Sequence, residues 1–169
     1  MAQSDGRLAV YTGSFDPITL GHLNVIQRSS RLFEQLIIGV GINTQKTSLF
    51  SPEQRVRLIS DVTDGLPNVE VRTFRGLAVE FVRQCGARVM VRGVRPLTDI
   101  AAEFTMMMAN HQLAPDIETV FLMAAEELAH VSSSLIKEIC ALSTDQMLAR
   151  FVPPEVIPEL RKKIPEPSP

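Results

Sequence analysis

The chain has 169 residues, 45% of them hydrophobic, and a formal net charge of −2. That length suits one domain with a sizeable core, and the near-neutral balance excludes a global basic field of the kind that draws a protein to nucleic acid. No apolar run nears the roughly 20 residues that span a bilayer, and the polar segment Met1–Arg7 has no signal-peptide core, so a cytoplasmic location is expected.

Leu8–Tyr11 reads as a strand, followed by a loop through Gly21 and a helix from about His22 to Phe33. The strand ends in Thr12-Gly13-Ser14-Phe15-Asp16-Pro17-Ile18-Thr19-Leu20-Gly21-His22. This string has neither the Gly-x-Gly-x-x-Gly of a dinucleotide fingerprint nor the Gly-Lys-Ser/Thr of a P-loop. Gly13 lets backbone approach a ligand closely, and Ser14 with the amides after it can donate to phosphate oxygens. His22 is expected on the first turn of the following helix, where the helix dipole favours an anion. Taken alone, Asp16-Pro17 would be a plain turn and His22 an ordinary capping or surface histidine.

Leu36–Ile42 is the second strand, followed by a polar loop whose sole cation is Lys46. By itself Lys46 reads as a solvated loop lysine. Ser51 as N-cap, Pro52 at the first helical position and Gln54 completing a capping box start the next helix. Val69–Phe74 is a third strand, and Gly76–Gln84 a helix stopped by Gly86. Arg88–Val91 is a fourth strand, running into Arg92-Gly93-Val94-Arg95. Arginine forks match phosphate oxygens; the alternative is two surface arginines paired with carboxylates. Thr98 is expected to cap a helix towards Leu113, and Thr119–Met123 is the fifth strand. Ser132 or Ser133 then caps a helix over Ser134–Leu142. Three serines in a row at a helix start form an anion site that one N-cap does not account for.

This βαβα rhythm, with apolar and unalternating strands, predicts an α/β fold: one doubly wound five-stranded parallel sheet with helices on both faces. Ligands in such folds bind beyond the carboxyl ends of the strands, and four of the five ends carry this polar chemistry. A single domain over 1–169 is expected, with a core of about 8–160 and a fraying tail over 161–169. Cys85 and Cys140 are expected as small core residues and not as a disulfide. Met106, Met107 and Met108 read as core fillers or a subunit contact. His111 and His130 lack partners at metal spacing, so no protein-bound metal is assigned.

The first strand end resembles the Gly-x-Phe-Asp-Pro-x-x-x-Gly-His signature of the nucleotidyltransferase superfamily, which has a Rossmann-like fold. Threonine at 19, where many members carry a first histidine, is typical of the phosphopantetheine adenylyltransferases. Arg-Gly-x-Arg followed by Asp99 and Glu103, and Val131-Ser132-Ser133-Ser134 in place of Ile-Ser-Ser-Ser, resemble the same bacterial-type branch. The resemblance implies catalytic roles for His22, Lys46 and Arg92. It implies ATP contacts at Ser14, Phe15, His22, Gly93, Val94, Arg95, Glu103, Leu128, Ala129, His130, Val131, Ser132, Ser133 and Ser134. It implies acceptor contacts at Ser14, Lys46, Ala78 and Arg92. Where the family often has an aromatic near position 128 this chain has Leu128, and there is no tryptophan. The implied activity is adenylyl transfer from ATP to 4′-phosphopantetheine, with Mg²⁺ on ATP and few or no direct protein ligands to it, in a cytoplasmic homohexamer. The rival readings are a sister enzyme with another phosphorylated acceptor and a nucleotide-binding regulator without catalysis.

Overall fold

The computed structural model describes residues 8–43, 47–95 and 99–165. Five strands, β1 (Leu8–Gly13), β2 (Gln35–Gly41), β3 (Val69–Phe74), β4 (Val89–Val94) and β5 (Glu118–Met123), form one parallel sheet in the order β3-β2-β1-β4-β5. Along β1 the side chains alternate between two cores. Ala9 and Tyr11 join Val25, Ile26, Leu58 and Ile136 on one face, while Val10 joins Val79, Val82 and Met90 on the other. The sheet is therefore doubly wound, as the rhythm of the sequence requires. Continuous burial holds for β1 and β2 at the centre but not at the edges. In β3, Glu70 and Arg72 face solvent, and β5 has no buried residue. An edge strand has a neighbour on one side only and keeps a wet face.

The helices are α1 (Leu20–Leu32), α2 (Pro52–Thr63), α3 (Ala78–Gln84), α4 (Ile100–Leu113), α5 (Ser133–Ile139), α6 (Asp145–Leu148) and α7 (Ile157–Lys163). Helix α1 starts two residues earlier than expected because Thr19 and His22 form the capping box: the Thr19 hydroxyl accepts from the His22 N–H, and the His22 ring accepts from the Thr19 N–H. Helix α2 has the predicted cap, with reciprocal bonds between Ser51 and Gln54. Helix α3 starts at Ala78 and not at Gly76, whose φ of 83° is non-helical. Thr98 lies outside the described residues. Asp99 occupies the N-cap position of α4 without a capping bond. Ser132 caps α5 through the Leu135 N–H, and a short 3₁₀ turn at Cys140–Leu142 follows.

Three expectations change. Helix α4 has no buried residue, and Met106 and Met108 are exposed, so of the two readings of the methionines the core-filling one drops out and the subunit contact stays open. Cys140 is buried, but Cys85 is half-exposed at the margin of the second core. The tail is packed through α7: Arg161 donates to the Cys140 carbonyl at 2.9 Å, which no composition signal announces. Residues 166–169 lie outside the described residues.

Candidate active site

The strand register brings Gly13 of β1 level with Val40 of β2, and β4 runs beside β1 on its other side. Two clefts open at this carboxyl edge. The first, of about 280 Å³, is lined by Ser14, His22, Arg92, Gly93, Val94, Arg95, Glu103, Leu128, Val131 and Ser132 to Ser134, with Tyr11, Thr12, Thr19, Val25 and Asp99 among its other walls. The second, of about 440 Å³, is lined by Ala78, Leu77, Phe74, Met90, Met106 and Met107, with Asn43 and Asn110 at its polar end. Thr12, Gly13, Ser14, Arg92 and Glu103 belong to both. The two clefts meet at one wall.

The capping box fixes the state of His22. Its Nδ1 accepts the Thr19 N–H at 3.1 Å, so a neutral ring carries its proton on Nε2. Burial, then the charges of Arg95 and Arg92, push its pKa down to about 4. At neutral pH His22 is thus an uncharged donor on the cleft wall. Burial also pushes the Tyr11 phenol above its usual range, which keeps that side chain neutral.

The arginines are pre-oriented. Arg92 grips Glu103 with two bonds, Nε to Oε2 at 2.8 Å and Nη2 to Oε1 at 2.6 Å, while Nη1 donates to the Thr12 carbonyl at 2.7 Å. Arg95 grips Asp99 with Nε and Nη2, both at 2.7 Å. The carboxylate partners of the surface-pair alternative are therefore present. The side chains, however, are only 26% and 28% exposed and line the cleft. Gly93 is required for space: a Cβ there would lie 2.9 Å from Val25 Cγ2 and 3.2 Å from the Tyr11 hydroxyl.

Asp16 ties the surrounding loops together. Its Oδ1 accepts from the Phe50 N–H at 2.8 Å, and its Oδ2 accepts from the Leu49 N–H at 2.8 Å and from Lys137 Nζ at 2.7 Å. The Ser133 hydroxyl donates to the Pro17 carbonyl at 2.8 Å. Helix α5 and the start of α2 are thereby fastened to the loop after β1.

Some of the expected contact residues do not line the first cleft with their side chains. Phe15 is 1% exposed, with its ring packed edge-on against Tyr11 and His22, so its side chain faces the core and not the cleft. His130 is exposed and stands edge-on to Phe151, and neither it nor Ala129 lines the cleft. Lys46 lies outside the described residues. Sequence reasoning missed Thr19, Asp16 and Lys137. The Thr-x-x-His spacing was a readable capping signal, whereas a bond spanning 121 residues has no local one.

A cleft whose donors suit phosphate oxygens, at the carboxyl edge of a Rossmann-like sheet without a dinucleotide fingerprint, is built to take a nucleotide. The profile of the Cytidylyltransferase-like family matches residues 10–139. In fold, the chain is similar to a nicotinic acid mononucleotide adenylyltransferase from Plasmodium falciparum solved with NaAD, with a TM-score of 0.70 at 12% identity over 92% of this chain and 94% of that one. In sequence it is 65% identical over 162 residues to a phosphopantetheine adenylyltransferase of Rhodopirellula baltica, covering 95% of this chain and 90% of the relative. A second such enzyme, from a Synechococcus strain, is 52% identical over 158 residues, covering 94% and 98%. The chain belongs to the phosphopantetheine adenylyltransferase family.

Proposed function

We propose that the protein transfers the adenylyl group of ATP to the phosphate of 4′-phosphopantetheine, giving dephospho-coenzyme A and pyrophosphate in coenzyme A biosynthesis. The observation that carries this reading is the pair of clefts with a common wall. The first has hydroxyls, amides, His22 and Arg95 for a triphosphate. The second is lined largely by Phe74, Leu77, Ala78 and methionines, which suits a long, weakly polar arm. Their shared wall, with Arg92 and Ser14, is where an acceptor phosphate would meet the α-phosphorus of ATP.

The acceptor phosphate has a second pKa near ~6 and is mostly dianionic at neutral pH, so it needs no general base. The protein's work is to align two polyanions and stabilise charge on the leaving pyrophosphate. Arg92, with Lys46, would hold the acceptor. Arg95, the serine-rich start of α5 and the Nε2–H of His22 would hold the triphosphate, with His22 donating to an oxygen that gains charge in the transition state. Direct in-line attack then forms the new P–O bond as the bond to pyrophosphate breaks. Mg²⁺ enters as part of the substrate, MgATP. Its ligands would be mainly phosphate oxygens and water, with few or no side chains of the protein.

A cytoplasmic homohexamer completes the proposal. In support, α4 exposes Ile100, Phe104 and Met108 at i, i+4 and i+8, one face that neighbouring copies would cover. The test of the activity is pyrophosphate release from ATP with a panel of acceptors. Turnover is expected with 4′-phosphopantetheine. Turnover with nicotinamide mononucleotide or glycerol phosphate instead would move the chain to a sister activity, and nucleotide binding without turnover would make it a regulator.

A further inference from the structure

Arg55 lies in the first turn of α2 and is 2% exposed. Its Nη1 donates to the carbonyl of Ser14 at 2.8 Å and to the carbonyl of Gly41 at 3.1 Å. Its Nε has no hydrogen-bond partner. No carboxylate lies within ion-pair distance of it among the described residues, in contrast to Arg92, Arg95 and Arg161, which hold Glu103, Asp99 and Asp145. The exposed carboxylate of Glu53, held by the Ser51 hydroxyl, acts on it only at longer range, and a buried guanidinium without a contacting counter-ion is costly to a fold. It persists where something else offsets it, and this one sits behind the ends of β1 and β2, beside the wall that both clefts share.

The backbone there points the same way. In a trans peptide the C=O and the following N–H face opposite directions. With the Ser14 carbonyl drawn inward to Arg55, the Phe15 N–H is turned outward, to the side on which Ser14 lines both clefts. Phe15 has a φ of 48°, a left-handed conformation that a bulky residue adopts only when its surroundings enforce it. Arg55 on the carbonyl side and the ring contacts with Tyr11 and His22 do so.

We propose that Arg55 is a positioning residue for phosphate at the junction of the two clefts. It aims the Phe15 N–H at a bound phosphoryl oxygen, and it supplies a positive charge for which that phosphate is the counter-ion. The inference rests on the proposed reading of this edge as the phosphate site. A staple that merely joined two strand ends would tolerate loss of charge as long as a donor remained.

The experiment compares Arg55→Lys, which keeps a charge and a donor, with Arg55→Gln, which keeps a donor and drops the charge. Each full-length variant is assayed for kcat and KM with both substrates, and for thermal midpoint with and without saturating pyrophosphate. The Gln variant should keep a ligand-free midpoint near that of the native protein, yet lose about 10–30-fold in kcat/KM, the weight of one unit charge acting over roughly 8–10 Å at an effective dielectric near 20. Its stabilisation by pyrophosphate should fall in step, and the Lys variant should recover most of both losses. Native-like kcat/KM and pyrophosphate response in the Gln variant would overturn the proposal. So would equal impairment of the two variants, or failure of both to fold. If only the Gln variant fails to fold, the Lys variant decides: retention of at least half the pyrophosphate response supports the role, and its loss refutes it. Absence of turnover in the native protein would refute the substrate reading instead, and the pyrophosphate response would still judge Arg55.

Discussion

Replacing Asp16 by asparagine tests the loop junction with almost no change of shape. The carboxylate is 4% exposed and accepts three bonds, one on Oδ1 from Phe50 and two on Oδ2 from Leu49 and Lys137. The amide of Asp16→Asn has one acceptor atom. Its better orientation puts oxygen towards Leu49 and Lys137 and sets its NH₂ against the Phe50 N–H. One buried N–H is then unsatisfied, at about 1–3 kcal/mol. The ion pair to a lysine 37% exposed is lost as well, which adds about 0.5–1 kcal/mol. The sum is about 2–4 kcal/mol, or a fall of about 5–15 °C in thermal midpoint for a chain of this size. Thermal denaturation of the two purified proteins measures it. Lys137→Met, which removes only the half-exposed partner, should cost about 1 kcal/mol or less. A shift under 2 °C for Asp16→Asn, or an equal loss in both variants, would refute the assignment of the two backbone bonds as the dominant contribution.

Because the pKa of His22 falls from 6.5 to about 4 on folding, the unfolded chain binds more protons between these values. Ligand-free stability should therefore drop as pH falls from about 6.5 to 4, by on the order of 3 kcal/mol in full; denaturant melts across that window should show it, and His22→Asn should flatten it. His22→Ala should lower turnover about 10²–10³-fold with folding intact, read by steady-state assay and circular dichroism. Gly93→Ala must displace Val25 or Tyr11 and should destabilise by about 1–3 kcal/mol, measured by denaturant titration. Arg92→Ala should weaken 4′-phosphopantetheine more than ATP, and Ser133→Ala the reverse, in calorimetric titrations of each ligand.

The strand ends were legible because the chemistry there is concentrated in short strings. Ser132–Ser134 and Arg92-Gly93-Val94-Arg95 announce themselves without a fold, and the box between Ser51 and Gln54 is a purely local bond pattern. What stayed hidden was which side chains would meet in the folded chain. Nothing in the string around Asp16 says that Lys137 will meet it, nor that the forks of Arg92 and Arg95 will be taken up by Glu103 and Asp99. His130 sits in a well-marked motif, yet its ring turns to Phe151, 21 residues further along the chain. Arg55 reads as an ordinary charge on the first turn of a capped helix. Only packing reveals that it is buried.

The charges around the clefts follow one physical logic. An arginine free to swing would lose side-chain entropy when it met a phosphate; one held by Glu103 or Asp99 has already lost it in folding. That preorganisation has a drawback, since each arginine–carboxylate pair is neutral overall and draws an anion weakly at long range. His22, uncharged near neutral pH, does not make up the difference. On the proposed reading, attraction then rests on the amides at the start of α5 and on any cation without a contacting carboxylate. Among the described residues Arg55 is the buried cation that meets this condition. On the proposed reading, the paired arginines set the geometry of the phosphates, and the unpaired one behind the Ser14–Phe15 peptide supplies the field that brings them in.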